Sequence, residues 1–299
     1  MSKKNIYKGL DAYSQEMSLS KNSLIEAFEI ENHFHKLLIN EKNALKREIL
    51  YKEFYSKLLT FYGRISPKDS SLDEKLSEKD KHIRLFEKEI INKSVIDFGC
   101  GEGLFLKNIQ KNIPYKKLVG VDIFIPNSLK DNPKIKFVSS SIITFRTNEK
   151  FDIAFSDNVL EHISILDYSS HFQSVFNSLK PGGKFIVIIP NKLFGPSDIT
   201  RIFDNSSSGK TLAKGGHLNE STYTEMNYLL SKAGFTNFQT VLPVPVLKYS
   251  LFKNFRIRPD FIIKIEKNKI LLNFFRKLKI KGRCQVRFTV TLVCQKPYI

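Results

Sequence analysis

The sequence predicts an α/β protein built on a twisted, mainly parallel seven-stranded sheet with helices on both faces, preceded by a helical extension. Three observations predict this. From residue 93 onward, short β-branched runs alternate with amphipathic helical stretches, the rhythm of crossover units and parallel pairing. One run, Val95–Phe98, ends in a glycine-rich turn that opens a helix. Before residue 92 the apolar residues recur instead at helical spacing among Glu and Lys.

Taken in order, Leu24, Phe28, Phe34, Leu37, Leu38, Leu45, Ile49, Phe54 and Leu58 predict helix over residues 19–62, stopped by Gly63 and Pro67. The polar stretch 68–81 reads as a linker or an exposed helical turn, and 83–91 as one more amphipathic segment. Residues 1–91 thus form an N-terminal helical extension, a lid or packing element with no chemistry of its own. Residues 92–299 form the main domain. Its strands are expected at 95–98, 118–123, 135–138, 151–155, 184–189, 238–242 and 286–294, and its helices at 103–111, 168–179 and 221–233. In the last strand Val286, Phe288, Val290 and Leu292 alternate with Arg287, Thr289, Thr291 and Val293, which suits an edge or antiparallel position. A glycine-containing loop at 191–220 follows the fifth strand, and a basic insertion occupies 247–283.

With 299 residues, 41% of them hydrophobic, the chain can bury a full core. No apolar run approaches the ~18 to 20 residues of a membrane span, and Met1–Leu10 is followed by no stretch of signal-peptide length, so a cytoplasmic location is expected. Cys100, Cys284 and Cys294 are too few and scattered for a disulfide framework or a paired metal cluster. The formal charge of +18 suggests an anionic partner, but Lys, Asn and Ile are frequent throughout, which composition bias alone can produce. Within Lys248–Arg283, twelve Lys or Arg face only Asp260 and Glu266. A solvated basic face is the plain reading; peripheral membrane contact through 248–283, or nucleic acid, is the functional one.

The chemistry concentrates in Val95-Ile96-Asp97-Phe98-Gly99-Cys100-Gly101-Glu102-Gly103. Glycine admits positive φ and lets a ligand lie against bare backbone. In dinucleotide enzymes such a turn holds a pyrophosphate at a helix N-terminus. Here Asp97 and Glu102 flank the glycines; acids repel phosphate but suit a ligand with a cationic amino group. About twenty residues on, Asp122 ends the next strand, where a carboxylate accepts hydrogen bonds from both ribose hydroxyls.

With these residues the sequence resembles the class I S-adenosylmethionine-dependent methyltransferases over roughly residues 85–240 and the final strand, and Asp97–Gly103 matches their DxGCGxG pattern in full. The resemblance implies a Rossmann-like fold and S-adenosylmethionine as cofactor. It places Asp97, Gly99, Cys100, Gly101 and Gly103 in the methionine cradle and Asp122 with Ile123 at the ribose. Ser141 falls where relatives offer an acid to the adenine, and Asp157 and Asn158 stand at the methyl end. A nicotinamide-binding domain, or one that has lost its ligand, is the alternative reading of the turn.

On the acceptor side, Asn158-Val159-Leu160 stands where enzymes acting on DNA amino groups carry Pro-Pro-aromatic, and no Pro-Cys pair occurs anywhere. This resembles the small-molecule enzymes, so the expected reaction is methyl transfer to oxygen or nitrogen of a small metabolite such as a sugar, lipid-linked or natural-product intermediate. RNA or protein methylation and a non-catalytic scaffold are the alternatives. Histidine is the usual general base for a hydroxyl acceptor. His217, flanked by glycines in a segment expected to be a flexible lid, is the first candidate. His162 is the second, at a position that suits capping as well as catalysis. Glu161 and Asp157 are alternative partners for an amine. No His/Asp cluster with metal-ligand spacing is visible, so no metal is expected.

Overall fold

The structure, a computed structural model, describes residues 6–65, 72–206, 208–243, 247–249, 251–280, 284–285 and 289–298. Its main sheet has seven strands in the order β3-β2-β1-β4-β5-β9-β6. These are Ser94–Phe98 (β1), Lys117–Asp122 (β2), Lys136–Ser139 (β3), Phe151–Asp157 (β4), Leu179–Ile189 (β5), Thr236–Thr240 (β6) and Val290–Gln295 (β9). Lys279–Ile280 (β7) and Cys284–Gln285 (β8) pair separately. Pairing is parallel except around β9, which runs antiparallel to both β5 and β6. The order reverses between β1 and β4, and a crevice opens there at the carboxyl ends of the strands.

The strands are apolar on both faces because both faces are covered. On one, Ile96, Phe98, Ala154, Val187 and Leu292 join side chains of Tyr168–Ser178 (α7) and Tyr223–Lys232 (α8). On the other, Val95, Ile153, Ile186 and Val293 meet Leu72–Ile90 (α4) and Leu104–Asn112 (α5), with Leu129 of the short Asn127–Lys130 (α6). Sequence neighbours therefore face opposite cores, as the two-residue strand period requires.

Three expectations need correction. The last strand is antiparallel but not at an edge: β9 lies between β5 and β6. Its alternating threonine misled because Thr291 is buried and satisfied, its N–H donating to Tyr223 Oη (3.1 Å) and its carbonyl accepting from Thr240 Oγ1 (2.6 Å). The expected start of that strand, 286–288, lies outside the described residues. The single helix over 19–62 is two, Lys21–Asn40 (α2) and Ala44–Ile65 (α3), after an unpredicted Leu10–Met17 (α1). The break falls at Asn43, whose Oδ1 accepts from the N–H groups of Leu45 (3.0 Å) and Lys46 (3.1 Å) and so starts a new helix. Of the stretch 68–81, expected as a linker or an exposed helical turn, residues 72–81 are the first half of the long helix α4, secured where Asn108 Nδ2 donates to the Leu76 carbonyl (2.8 Å) and to Asp80 (2.7 Å), and 68–71 lie outside the described residues.

The N-terminal helices are not an appendage. Phe34, Leu38, Tyr51 and Phe54 belong to the same core as Phe98, Leu160 and Phe194. A buried ion pair fixes α3 to the start of α7: Arg47 Nε donates to Asp167 Oδ2 (2.8 Å) and Nη2 to Oδ1 (2.5 Å), with both side chains 3% exposed. Tyr51 Oη donates to the same carboxylate (2.8 Å) and accepts from the Ser164 N–H (2.7 Å). In the basic insertion, Asp260–Lys267 (α9) and Lys269–Lys277 (α10) pack Ile262, Ile265 and Leu272 onto that core.

Removing one partner of a buried pair strands the other charge, which costs about 3–5 kcal/mol. Arg47→Met is expected to lower stability by that order in urea unfolding, whereas surface Lys52→Met changes it by less than about 0.5 kcal/mol. Equal effects of the two would refute the lock.

Candidate active site

The turn after β1 is held by backbone bonds to its neighbour strand. The N–H groups of Gly99 (2.8 Å) and Cys100 (3.2 Å) both donate to the Val121 carbonyl. Two glycines there do different work. At Gly99 (φ 78°) a Cβ would stand 2.4 Å from Val159 Cγ2, so this glycine serves packing. At Gly101 (φ 51°) a Cβ would meet nothing within 4 Å. Its bare backbone faces the crevice.

Asp122 completes this wall. Its Oδ2 accepts from the Gly101 N–H (2.8 Å) and its Oδ1 from the Phe124 N–H (3.1 Å). Burial raises the carboxyl pKa, and the two backbone donors act against that rise. The carboxylate is thereby aimed at the mouth of the crevice with lone pairs left over for hydroxyl groups.

A cleft of about 240 Å³ is lined by Gly99, Gly101, Asp122, Ile123, Ser141, Asn158 and Val159 at one end and by Tyr51, Tyr55, His162 and Ile163 at the other. Of the residues expected at the cofactor, Gly99, Gly101, Asp122, Ile123, Ser141 and Asn158 therefore line one cavity. Asp97, Cys100 and Gly103 do not: Asp97 and Cys100 are buried behind the turn, and the Gly103 Cβ position is filled by the Phe137 ring at 2.6 Å. Burial pushes the Cys100 thiol pKa up, so this is an inert, packed thiol. Asp157 is the clearest departure. Its Oδ2 lies 3.2 Å from His82 Nδ1, in a neighbouring pocket that also holds Lys81, Lys248 and Tyr249. Asn158, at φ 55°, sits at the boundary between the two pockets.

Sequence reasoning missed Tyr51 and Tyr55, which come from the helical extension and form the far wall. Their four-residue spacing puts both rings on one face of α3, a signal readable only once that face is known to meet the crevice.

The two candidate histidines come together. Their rings meet edge to face, with centroids 4.8 Å apart. His162, in a 3-10 turn after β4, lines the cleft and donates Nδ1–H to the Gly216 carbonyl (3.0 Å). His217 stands behind it, off the cleft, with Nδ1 on Glu220 Oε1 (2.9 Å). Burial opposes its protonation, but Glu220 and the charges of Glu161 and Asp198 prevail and lift its pKa to about 9. The expected flexible lid is pinned at its glycine end. Gly215 N–H donates to Asp198 Oδ2 (2.8 Å), Gly216 N–H to Glu31 Oε2 (2.6 Å), and the Gly215 carbonyl meets His35 Nδ1 (3.0 Å). A Cβ on Gly215 would stand 2.3 Å from Ile199 Cγ2, so close packing is the reason for this glycine.

Glu161 is wholly buried beside the pair, and neither carboxylate oxygen accepts a hydrogen bond from another described residue. Burial lifts its pKa to about 8 against the pull of His217. One ligating atom from each of Glu161, His162 and His217 lies within 4.8 Å of the others. The 54-residue separation of Gly216 from His162 hides this grouping from any reading of local spacing.

A sheet of this order, with a glycine turn after its first strand and an acid ending its second, is that of the class I S-adenosylmethionine-dependent methyltransferases. Residues 70–240 match the family described as a methyltransferase domain, and the chain belongs to that family. It is 31% identical over 134 residues to a malonyl-[acyl-carrier protein] O-methyltransferase of Calditerrivibrio nitroreducens, covering 44% of this chain and 51% of the relative. It is 26% identical over 106 residues to a trans-aconitate 2-methyltransferase of an Acidovorax strain, covering 34% and 40%. The chain thus spans about half the length, or less, of these curated relatives. Phosphoethanolamine N-methyltransferase 2 of Haemonchus contortus, solved with S-adenosyl-L-methionine, shares the fold at TM-score 0.50 and 14% identity over 83% of this chain and 60% of that one. Among the described residues no helix is long and apolar enough to cross a membrane.

The residues present fit the cofactor: bare backbone at Gly101, a carboxylate for the ribose, and Ile123, Ile142 and Ile143 as apolar lining. Charged hydrogen bonds are worth about 1.5–3 kcal/mol each. Asp122→Ala is therefore expected to weaken S-adenosylmethionine binding about 100-fold in calorimetry. Gly101→Ala folds but binds weakly, and Gly99→Ala loses thermal stability first. Unchanged affinity in both Asp122→Ala and Gly101→Ala would remove the cradle.

Proposed function

We propose that this protein transfers the methyl group of S-adenosylmethionine to an oxygen or nitrogen of a small acceptor bound between the cofactor and the Tyr51/Tyr55/His162 wall. The observation that carries this reading is the single cavity with a cofactor-like end at Gly101 and Asp122 and an aromatic, imidazole-bearing end opposite. Methyl transfer from a sulfonium needs the acceptor, methyl carbon and sulfur held in line, and such positioning supplies up to about 7–11 kcal/mol. The buried Arg47–Asp167 pair holds Tyr51 rigidly enough for that task, and His162 is braced by the Gly216 carbonyl. The curated relatives named for malonyl-[acyl-carrier protein] O-methylation and for trans-aconitate methylation support a small acidic acceptor, with oxygen as the preferred atom.

Incubation with methyl-labelled cofactor and fractionated cell extract tests this. Label is expected in the small-molecule fraction, and Tyr55→Ala is expected to reduce it at least 10-fold while cofactor affinity changes less. Label confined to RNA or to protein side chains, rather than to a small molecule or an acyl group carried on a protein, would overturn the reading.

The basic insertion supports a lipid-linked acceptor. Ile270 (81% exposed) and Phe274 (58%) lie on one face of α10 with Leu271, beside Lys269 and Lys277, and Phe261 of α9 is exposed as well. Aromatic side chains beside cations can also stack on nucleic-acid bases, but the exposed aliphatic Ile270 and Leu271 suit a helix seated on an anionic bilayer, which needs both cations and exposed apolar side chains. The chain is expected to co-sediment with phosphatidylglycerol-containing vesicles but not with pure phosphatidylcholine, and Ile270→Asp with Phe274→Asp abolishes this. Salt-sensitive retention on RNA without vesicle binding would contradict it.

A further inference from the structure

We infer that Glu161, His162 and His217 form a binding site for a divalent transition-metal ion at the acceptor end of the cleft. The inference deepens the methyl-transfer reading and rests on it for the ion's purpose, though not for its binding.

The first observation is the unpartnered Glu161 carboxylate. It is 0% exposed, yet neither oxygen accepts a hydrogen bond from any other described residue, its own N–H being the one backbone donor nearby. A buried anion without hydrogen bonds is strongly penalised, and such groups in native proteins are paired, protonated or bound to a cation. The backbone around it is well satisfied by contrast, its carbonyl accepting from the N–H groups of Leu218 (2.6 Å) and Asn219 (3.1 Å). The side chain is held in place beside His217 with no hydrogen bond from another described residue.

The second observation is how the two imidazoles are oriented. Each has its Nδ1 occupied, His162 by the Gly216 carbonyl and His217 by the Glu220 carboxylate. That is the outer-shell arrangement of metal-bound histidines, in which one ring nitrogen donates to a carbonyl or carboxylate and leaves the other as the ligand. Nε2 of each ring is then the nitrogen left to ligate. One ligating atom of each residue lies within 4.8 Å of the other two, and on a tetrahedral ion, with bonds near 2.0–2.2 Å, the three would stand about 3.3 Å apart. Side-chain torsions of order 1 Å close that gap.

The donor set names the ion. Two imidazoles and one carboxylate suit zinc, manganese, iron(II) or cobalt, whereas magnesium and calcium prefer all-oxygen cages. Three protein ligands leave positions open, and His162 puts them at the cleft. An acceptor hydroxyl or carboxylate bound there would be oriented by the ion, and a hydroxyl would be made more acidic. Its proton leaves to water, its oxygen forms the bond to the methyl carbon, and the carbon–sulfur bond breaks with the electron pair staying on sulfur. The acceptor class is therefore an oxygen compound able to ligate a cation, such as a hydroxy acid or vicinal diol.

Protein stripped with chelator and titrated with zinc or manganese chloride alone tests the site. One ion per chain is expected, with a rise in melting temperature, and cobalt(II) is expected to give the visible absorption of a four- or five-coordinate ion with nitrogen ligands. Glu161→Gln and His217→Gln should each weaken binding at least 100-fold, Glu161→Gln without loss of melting temperature in the ion-free state. If either variant fails to fold, His162→Gln, at the cleft surface, carries the same expectation. Absence of stoichiometric binding, or binding undiminished in these variants, would overturn the inference. Cofactor calorimetry on the stripped protein separates the two readings: cofactor binding without metal binding sinks only the metal site, and metal binding without cofactor binding sinks the methyl-transfer reading.

Discussion

The structure turns on the bond between the Asp122 carboxylate and the Gly101 N–H. It joins the turn after β1 to the end of the adjacent parallel strand β2, beside the point where strand order reverses, and so shapes one wall of the crevice. A main chain at φ 51° without a side chain is costly for any residue but glycine, and the Asp122 acceptor is what makes that conformation worth keeping. Because Gly101 and Phe124 each occupy one lone pair, on different oxygens, the carboxylate is oriented without being used up. Gly99 and Gly103 then act as spacers, letting Val159 and Phe137 press against the turn from either side.

The opposite wall comes from outside the sheet. The helical extension shares the main core, and the Arg47–Asp167–Tyr51 network ties it to the segment that follows β4. The same helices reach the loop after β5: Glu31 and His35 of α2 hold Gly216 and Gly215, and Gly216 in turn holds His162. The far wall of the cleft results, with Tyr51 and Tyr55 from α3 and His162 from the segment after β4, and His217 of the loop after β5 packed behind it. In a protein of strong positive charge, buried acids gather here, with Glu31, Asp198, Glu220 and Glu161 all around one glycine loop.

The sheet and the cofactor end were legible because their signals are local. A buried strand, a glycine turn and an acid twenty residues on are contiguous features, and the strands from 95 to 189 fall within a residue or two of expectation, except that β5 begins five residues early. The errors share a cause in tertiary context. Thr291 reads as solvent-facing until Tyr223 and Thr240 are seen to satisfy it. Asp157 lies next to Asn158 in sequence, but β4 turns its carboxylate toward His82. His217 carries glycines that resemble a hinge, yet those glycines exist so that Glu31, Asp198 and Ile199 can approach. The Glu161–His162–His217 grouping and the Tyr51–Tyr55 wall depend on contacts between distant segments, which no local spacing encodes.

A crystal structure with S-adenosylhomocysteine bound tests the central claim most directly. The ribose hydroxyls are expected on Asp122, the homocysteine backbone along Gly101, and the sulfur directed toward the Tyr55 and His162 wall. A product lying in the neighbouring pocket beside Asp157 and Lys248, or one whose sulfur points away from His162, would contradict it.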